Sequence, residues 1–236
     1  MTGHSLRGSH IRALLRATHL PQALAMVAVM TVATVACGAT WVSVVLVFLA
    51  SAAGQATVGW TNDLHDAAAD RDAERMNKPT VRGALRAEDF RIPILVSGSL
   101  TIPLSLVASG WIGGGAHIAA VASALAYNFF LARTAWSWVP YAVSFALIPL
   151  FVAQASSPAL WPSTPVIVLS ALVGVIAHLF NALPDIATDR RAGWGGLAVS
   201  LGTTRSRIVL AILMALAAVC VGYIGLGYID MTFAVR

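Results

Sequence analysis

Apolar residues run along this chain in blocks of about twenty, and the charged residues collect in the connections between the blocks. A bilayer core about 30 Å thick calls for roughly 20 apolar residues per helix. By that measure the sequence predicts seven membrane-spanning helices, over residues 20–37, 41–61, 91–110, 114–131, 138–155, 165–183 and 207–229. Pro93, Pro103, Pro140 and Pro149 fall inside or at the ends of these runs. Neighbouring helices satisfy the carbonyls that a proline frees, so the spans stand. The expected fold class is all-α: a polytopic transmembrane helical bundle forming one membrane-embedded domain over residues 1–236.

Composition points the same way. Hydrophobic residues make up 58% of the chain and charged residues 11%, where a soluble domain carries about 25% charged residues. A mean hydropathy of +0.79 leaves too little polar surface for a water-soluble globule and excludes disorder, collagen and coiled coil. Cys37 and Cys220 sit in apolar stretches and offer neither a disulfide framework nor a metal-ligand spacing.

The net charge of +5 matters through its distribution. Arg7, Arg12 and Arg16 precede the first span; Arg71, Arg75, Lys78, Arg82, Arg86 and Arg91 follow the second; Arg133 follows the fourth; Arg190, Arg191, Arg205 and Arg207 follow the sixth. Fourteen of the 15 basic residues therefore lie on one side, while loops 38–40, 111–113 and 156–164 carry no charge. The positive-inside rule places the N-terminus and every charged loop in the cytoplasm and the C-terminus outside. A multi-pass protein of the cell membrane is expected, with lipid as its surroundings. The basic charge is a topology signal, and no nucleic acid is expected as a partner. Residues 1–39 also resemble a signal peptide, but their 18-residue apolar run is longer than a usual h-region and reads as a span.

Nine of the ten acidic residues share the side of the arginines, Asp230 being the exception. The positive-inside rule does not govern acids, so their placement needs another cause. Seven of them form two clusters at span ends that repeat each other. NDLHDAAAD places Asn62, Asp66 and Asp70 four apart, and NALPDIATD places Asn181, Asp185 and Asp189 at the same spacing, 119 residues on. Each is followed directly by an arginine, Arg71 or Arg190. Four spans separate the copies, which returns both to one face and suggests a duplicated four-helix unit, with pseudo-repeat halves at about 10–134 and 135–236.

Side chains four apart share a helix face, so each cluster is expected to aim an amide and two carboxylates along one stripe. Like charges at that spacing repel, and near hydrocarbon they are costlier. A hard divalent cation with oxygen ligands offsets them best, and Mg²⁺ fits because it takes one or two carboxylates and fills its shell with water and phosphate oxygens. A solvated loop of self-neutralising charges would account for one cluster, but not for two matching clusters on one face.

At these residues the chain resembles the UbiA family of intramembrane prenyltransferases. The family's NDxxDxxxD motif, with a following R and RP, is matched by Asn62, Asp63, Asp66, Asp70, Arg75 and Lys78–Pro79, with Lys in place of the usual Arg; its DxxxD motif is matched by Asp185 and Asp189. The resemblance extends over roughly residues 10–215. It implies two Mg²⁺ ions bridging a prenyl diphosphate, one held by Asn62, Asp66 and Asp70 and the other by Asp185 and Asp189. The same four aspartates are the expected catalytic residues. Arg71, Arg75 and Lys78 would neutralise the diphosphate, and Asn181, Arg190, Tyr127 and Arg133 are expected to contact it. Two departures stand out. The family's YxxxK reads Tyr127–Leu131 followed by Ala132 and Arg133, without the lysine. The family usually has nine spans and this chain offers seven, so a gap is expected beside spans one and seven, filled by lipid or covered by a second subunit in a homo-oligomer.

Weaker signals are His65 beside Asp66, His117 and His178 within spans, a turn at Gly113–Gly115, and tryptophans near span ends. His178, three residues before Asn181, is expected to face the pore. Phe129, Phe130, Phe145, Phe151 and Phe180 are candidates for cation–π stabilisation of a carbocation, with packing as the default role. The implied function is Mg²⁺-dependent ionisation of a prenyl diphosphate and prenyl transfer to a lipophilic acceptor. An alternative is an intramembrane terpene cyclase using the same two motifs. A third, a cation transporter, predicts acids near mid-membrane, whereas these lie at helix ends beside arginines.

Overall fold

Backbone groups in hydrocarbon have no water to bond, so an apolar run must satisfy them within itself as a helix. The computed structural model, which describes residues 3–76, 78–225 and 234–235, follows that rule. Its helices are α1 (Gly3–Ala17), α2 (Leu20–Ala36), α3 (Trp41–Asp72), α4 (Ala87–Ala126), α5 (Trp138–Gln154), α6 (Thr164–Ala182), α7 (Ile186–Arg191) and α8 (Leu197–Gly225). A π-helical turn, Tyr127–Leu131, extends α4, and a 3₁₀ turn, Leu183–Asp185, joins α6 to α7. Strands β1 (Leu160–Trp161) and β2 (Ala234–Val235) pair antiparallel.

Trp41–Asp72, Ala87–Leu131, Thr164–Arg191 and Leu197–Gly222 are each long and apolar enough to cross a bilayer. Ser9–Ala17 and Leu20–Ala36, bent by 65°, together make a fifth such unit. The prediction of seven differs in two places: two of its runs share α4, and α5, at 17 residues, is shorter than the four long helices. The α4 pair is nevertheless folded back on itself. Ser109 and Gly110 leave helical geometry, Gly110 at φ 63°, and Ser105 Oγ comes within 2.7 Å of His117 Nδ1. Twelve residues of straight helix would separate those groups by about 18 Å. The reversal therefore lies at Ser109–Gly110, which corrects the expected loop at 111–113 and turn at Gly113–Gly115. Those glycines are helical, and a Cβ on Gly114 would meet the Ser105 carbonyl oxygen at 2.5 Å.

The distribution of polarity is inverted relative to a soluble protein. Thr34, Ser51, Thr57, Ser97, Thr101, Ser105, His117 and His178 are buried, while Val42, Leu95, Val107 and Ile112 are exposed. Interior serines and threonines return their hydroxyls to helix carbonyls, as Thr101 does to Ser97 and Ser105 to Thr101. Such satisfied small polar residues are what packing between helices in lipid favours. Trp41 and Trp111, both highly exposed, begin the helices at the uncharged end, where an aromatic belt is expected.

Core packing sits at three levels. Met30, Val47, Ala50, Ala108, Phe151 and Val152 close the uncharged end. Ala13, Ala17, Leu85 and Phe90 close the charged end and dock α1 against α3; there Gly59 is so near Thr18 that a Cβ would lie 2.7 Å from its carbonyl oxygen. Leu179, Ile186, Ala198 and Leu210 tie α6, α7 and α8 together. On α8, an added Cβ at Gly222 would meet no atom of this chain within 4 Å.

Candidate functional site

The first acidic cluster is set by the length of α3. Thr40 caps the helix by accepting from the Ser43 amide, and the helix continues well past its apolar run to Asp72. Asn62, Asp66 and Asp70 therefore lie along one face. Asn62 donates to Asp66 Oδ2 at 3.1 Å and to Asn128 Oδ1 at 3.4 Å, and Asn128 donates in turn to the Val58 carbonyl at 3.0 Å. Asn128 reaches α3 from the π-helical turn, closed by the Ala132 amide on the Tyr127 carbonyl. Such single π turns occur often at functional sites.

The second cluster lies where the regular α-helix is interrupted. Pro184 cannot donate a backbone hydrogen bond, and the chain passes through the 3₁₀ turn between α6 and α7. Asn181 remains on α6 while Asp189 is carried on α7. Asp189 is nonetheless brought to the first cluster: Arg75 Nη2 donates to its Oδ1 at 2.6 Å while Nη1 donates to Asp70 Oδ1 at 3.3 Å. Arg133 donates to Asp66 Oδ1 at 3.4 Å. Tyr127 lies within electrostatic reach of both Asp66 and Asp189.

Asp63 and Asp70 are almost fully buried carboxylates, at 1% and 0% exposure. Burying a carboxylate without a partner is expensive, and each has one. Lys78 Nζ lies 2.6 Å from Asp63 Oδ1 and 4.0 Å from Asp70 Oδ2. His19, in left-handed geometry at the bend between α1 and α2, brings Nε2 to 3.1 Å from the same Asp63 oxygen. Asp70 Oδ2 is buried and has no hydrogen-bond partner among the described residues. Among those residues no group of three or more His, Cys, Asp or Glu is close enough to hold a metal by itself.

Other expected residues fall elsewhere. Arg190 turns away and donates to the Val199 carbonyl at 2.9 Å, so it braces the start of α8, which kinks at Gly202. Arg71 and Asp185 are exposed and make no ion pair among the described residues. Asn181 is exposed and approaches Tyr141. His178 is buried, bonds Ser137 at 3.0 Å and lies with its ring 6.0 Å from that of Tyr127 and 5.0 Å from that of Tyr141. His65 lies on α3 with Nδ1 3.3 Å from Asp66. Phe151 is stacked on His117 at the uncharged end, away from the acids.

Three contributors escaped the sequence reading. Asn128 was visible as an amide in an apolar run, the partner role of His19 had no local signal, and Trp194 stands in a glycine-rich connection. The Trp194 ring lies under both site guanidiniums, with Arg75 Cζ at 4.9 Å and Arg133 Cζ at 4.3 Å from its centre.

The fold is shared with solved proteins. A UbiA homolog from Archaeoglobus fulgidus bound to DMAPP and Mg²⁺ aligns over 92% of this chain and 79% of its own, at 19% identity and TM-score 0.76. The same homolog bound to GPP and Mg²⁺ aligns over 93% and 80%, at 18% identity and TM-score 0.73. A digeranylgeranylglyceryl phosphate synthase aligns over 89% and 76%, at 14% identity and TM-score 0.66. No curated protein matches the chain. The sequence profile of the UbiA prenyltransferase family matches residues 20–235, nearly the whole length, and the chain belongs to that family of membrane enzymes.

Proposed function

We propose that this enzyme ionises a prenyl diphosphate at the charged, cytoplasmic face of its bundle and transfers the prenyl group to a lipophilic acceptor. The observation that carries the reading is the convergence of both acidic motifs on Arg75, through Asp70 and Asp189. The binding of DMAPP, GPP and Mg²⁺ by the A. fulgidus homolog supports it.

The residues fit Mg²⁺. Their donors are hard oxygens, Asp70 Oδ2 is a buried carboxylate oxygen lacking a hydrogen bond, and Mg²⁺ needs only one or two carboxylates beside phosphate and water. Asn62, Asp66 and Asp70 would hold one ion and Asp185 and Asp189 a second. Bound there, Mg²⁺ supplies Lewis-acid neutralisation of the diphosphate leaving group.

The chain's own part follows from charge. Guanidinium forks match phosphate as well as carboxylate, so Arg75 and Arg133 can exchange an aspartate for a phosphate oxygen without losing compensation. Cations fixed where leaving-group charge develops favour cleavage of the carbon–oxygen bond, whose electron pair leaves with diphosphate. The allylic cation that remains is captured by an acceptor nucleophile, which gives up a proton as the new bond forms. Transfer requires that water be kept from the cation until the acceptor has captured it.

The test is to incubate purified protein with Mg²⁺ and prenyl diphosphates of several chain lengths, with and without quinone, phenol and lipid acceptors. Diphosphate release with an acceptor-dependent prenylated product is expected. A cyclic hydrocarbon or alcohol formed without acceptor overturns transfer in favour of cyclisation.

A further inference from the structure

We propose that Trp194 is a positioning residue for diphosphate binding, holding the guanidiniums of Arg75 and Arg133 in fixed planes over the two acidic motifs. The inference rests on the prenyl-diphosphate reading above.

The placement of Trp194 is determined by its neighbours. Gly193, at φ +71°, follows α7 in the left-handed geometry that ends a helix. The Gly193 amide then bonds the Arg190 carbonyl at 3.2 Å and the Trp194 amide bonds the Asp189 carbonyl at 2.8 Å, the paired bonds of a Schellman cap. Beyond it, Gly195 runs directly against the Arg133 carbonyl, where no Cβ would fit. The glycines on either side thus pin the indole between α7 and the turn that carries Arg133.

A closed circuit results. Asp189 gives its backbone carbonyl to Trp194 and its carboxylate to Arg75. Arg75 returns to the indole face, and Arg133 shares that ring while reaching Asp66. Stacking suits this role because guanidinium donors point outward in the plane of the group. A ring beneath the plane orients the group and consumes none of its donors, leaving the forks for oxygen ligands. Arg133 depends on this most: its side chain is 44% exposed and its bond to Asp66 is long, 3.4 Å.

The experiment compares Trp194→Ala, Trp194→Leu and Trp194→Phe in the full-length protein. It measures the Kd for inorganic diphosphate by calorimetry, with and without Mg²⁺, the KM and kcat for a prenyl diphosphate, and the melting temperature. Trp194→Ala and Trp194→Leu are expected to raise Kd and KM about tenfold, in line with loss of a cation–π contact, with a much smaller change in kcat. Trp194→Phe, which keeps an aromatic face, should recover most of the loss. If the Ala variant fails to fold, the contrast between Leu and Phe decides, since both fill the space. Leu equal to wild type in Kd and KM overturns the role of the ring. Wild-type protein that neither binds diphosphate nor consumes a prenyl diphosphate overturns the prenyl-transfer reading itself, and this inference with it.

Discussion

Arg75 lies 2.6 Å from Asp189, a residue 114 positions away, and joins the first acidic motif to the second through a single guanidinium. The same side chain holds Asp70, whose carboxylate is shut off from solvent. One cation thereby offsets two acids that lie on separate parts of the fold.

Replacing Arg75 by Ala is expected to lower turnover of a prenyl diphosphate by at least about a hundredfold. Removing one partner of a buried pair costs about 3 kcal/mol or more, and Asp70 would keep only the longer contact to Lys78. Millimolar Mg²⁺ should then raise the melting temperature of Arg75→Ala more than that of wild type. Equal shifts would show that the acids left without Arg75 do not attract the ion.

The Asp63–Lys78 pair should behave as a buried ion pair. Lys78→Met alone leaves Asp63 to His19 and is expected to destabilise by about 3 kcal/mol. Asp63→Asn with Lys78→Met removes the stranded charge and should recover most of that loss. Thermal melting in detergent gives the comparison; additive losses in the double variant would mean that the two side chains are not coupled.

Orientation can be read with an impermeant thiol reagent on a background lacking Cys37 and Cys220. Cysteine at Ala159, exposed beside β1, should label from outside, whereas cysteine at Glu88, exposed at the start of α4, should label only after permeabilisation. Ser156, in the same uncharged loop, is buried and makes a poorer probe. Outside labelling of Glu88→Cys would invert the topology inferred from the arginines.

Two glycines should respond in opposite ways. Gly174 packs directly on the Tyr141 carbonyl, leaving no room for a Cβ, so Gly174→Val is expected to cost roughly 1–3 kcal/mol or more through overpacking. Gly222 faces open space, and Gly222→Leu should change neither melting temperature nor particle mass. A fall in particle mass on Gly222→Leu would reveal a second subunit packed on α8.

The sequence by itself determined the helical class, the positions of the apolar runs and the identities of the two acidic motifs. Those properties follow from local quantities: the thickness of hydrocarbon, the satisfaction of backbone groups within a helix, and the repulsion of acids four residues apart. Asn62, Asp66 and Asp70 keep the stripe their spacing implies because α3 continues unbroken through them. Tertiary structure decided what spacing cannot express. A 3₁₀ turn at Leu183–Asp185 interrupts the α-helix within the second motif, Arg190 is drawn to the Val199 carbonyl of α8, and the chain reverses at Ser109–Gly110 rather than at the glycine triplet. Pairing Arg75 with Asp189, His19 and Lys78 with Asp63, and Trp194 with two arginines depends on how separate helices pack. A buried charge takes the partner that packing brings within reach, and periodicity along one helix carries no information about what stands opposite it.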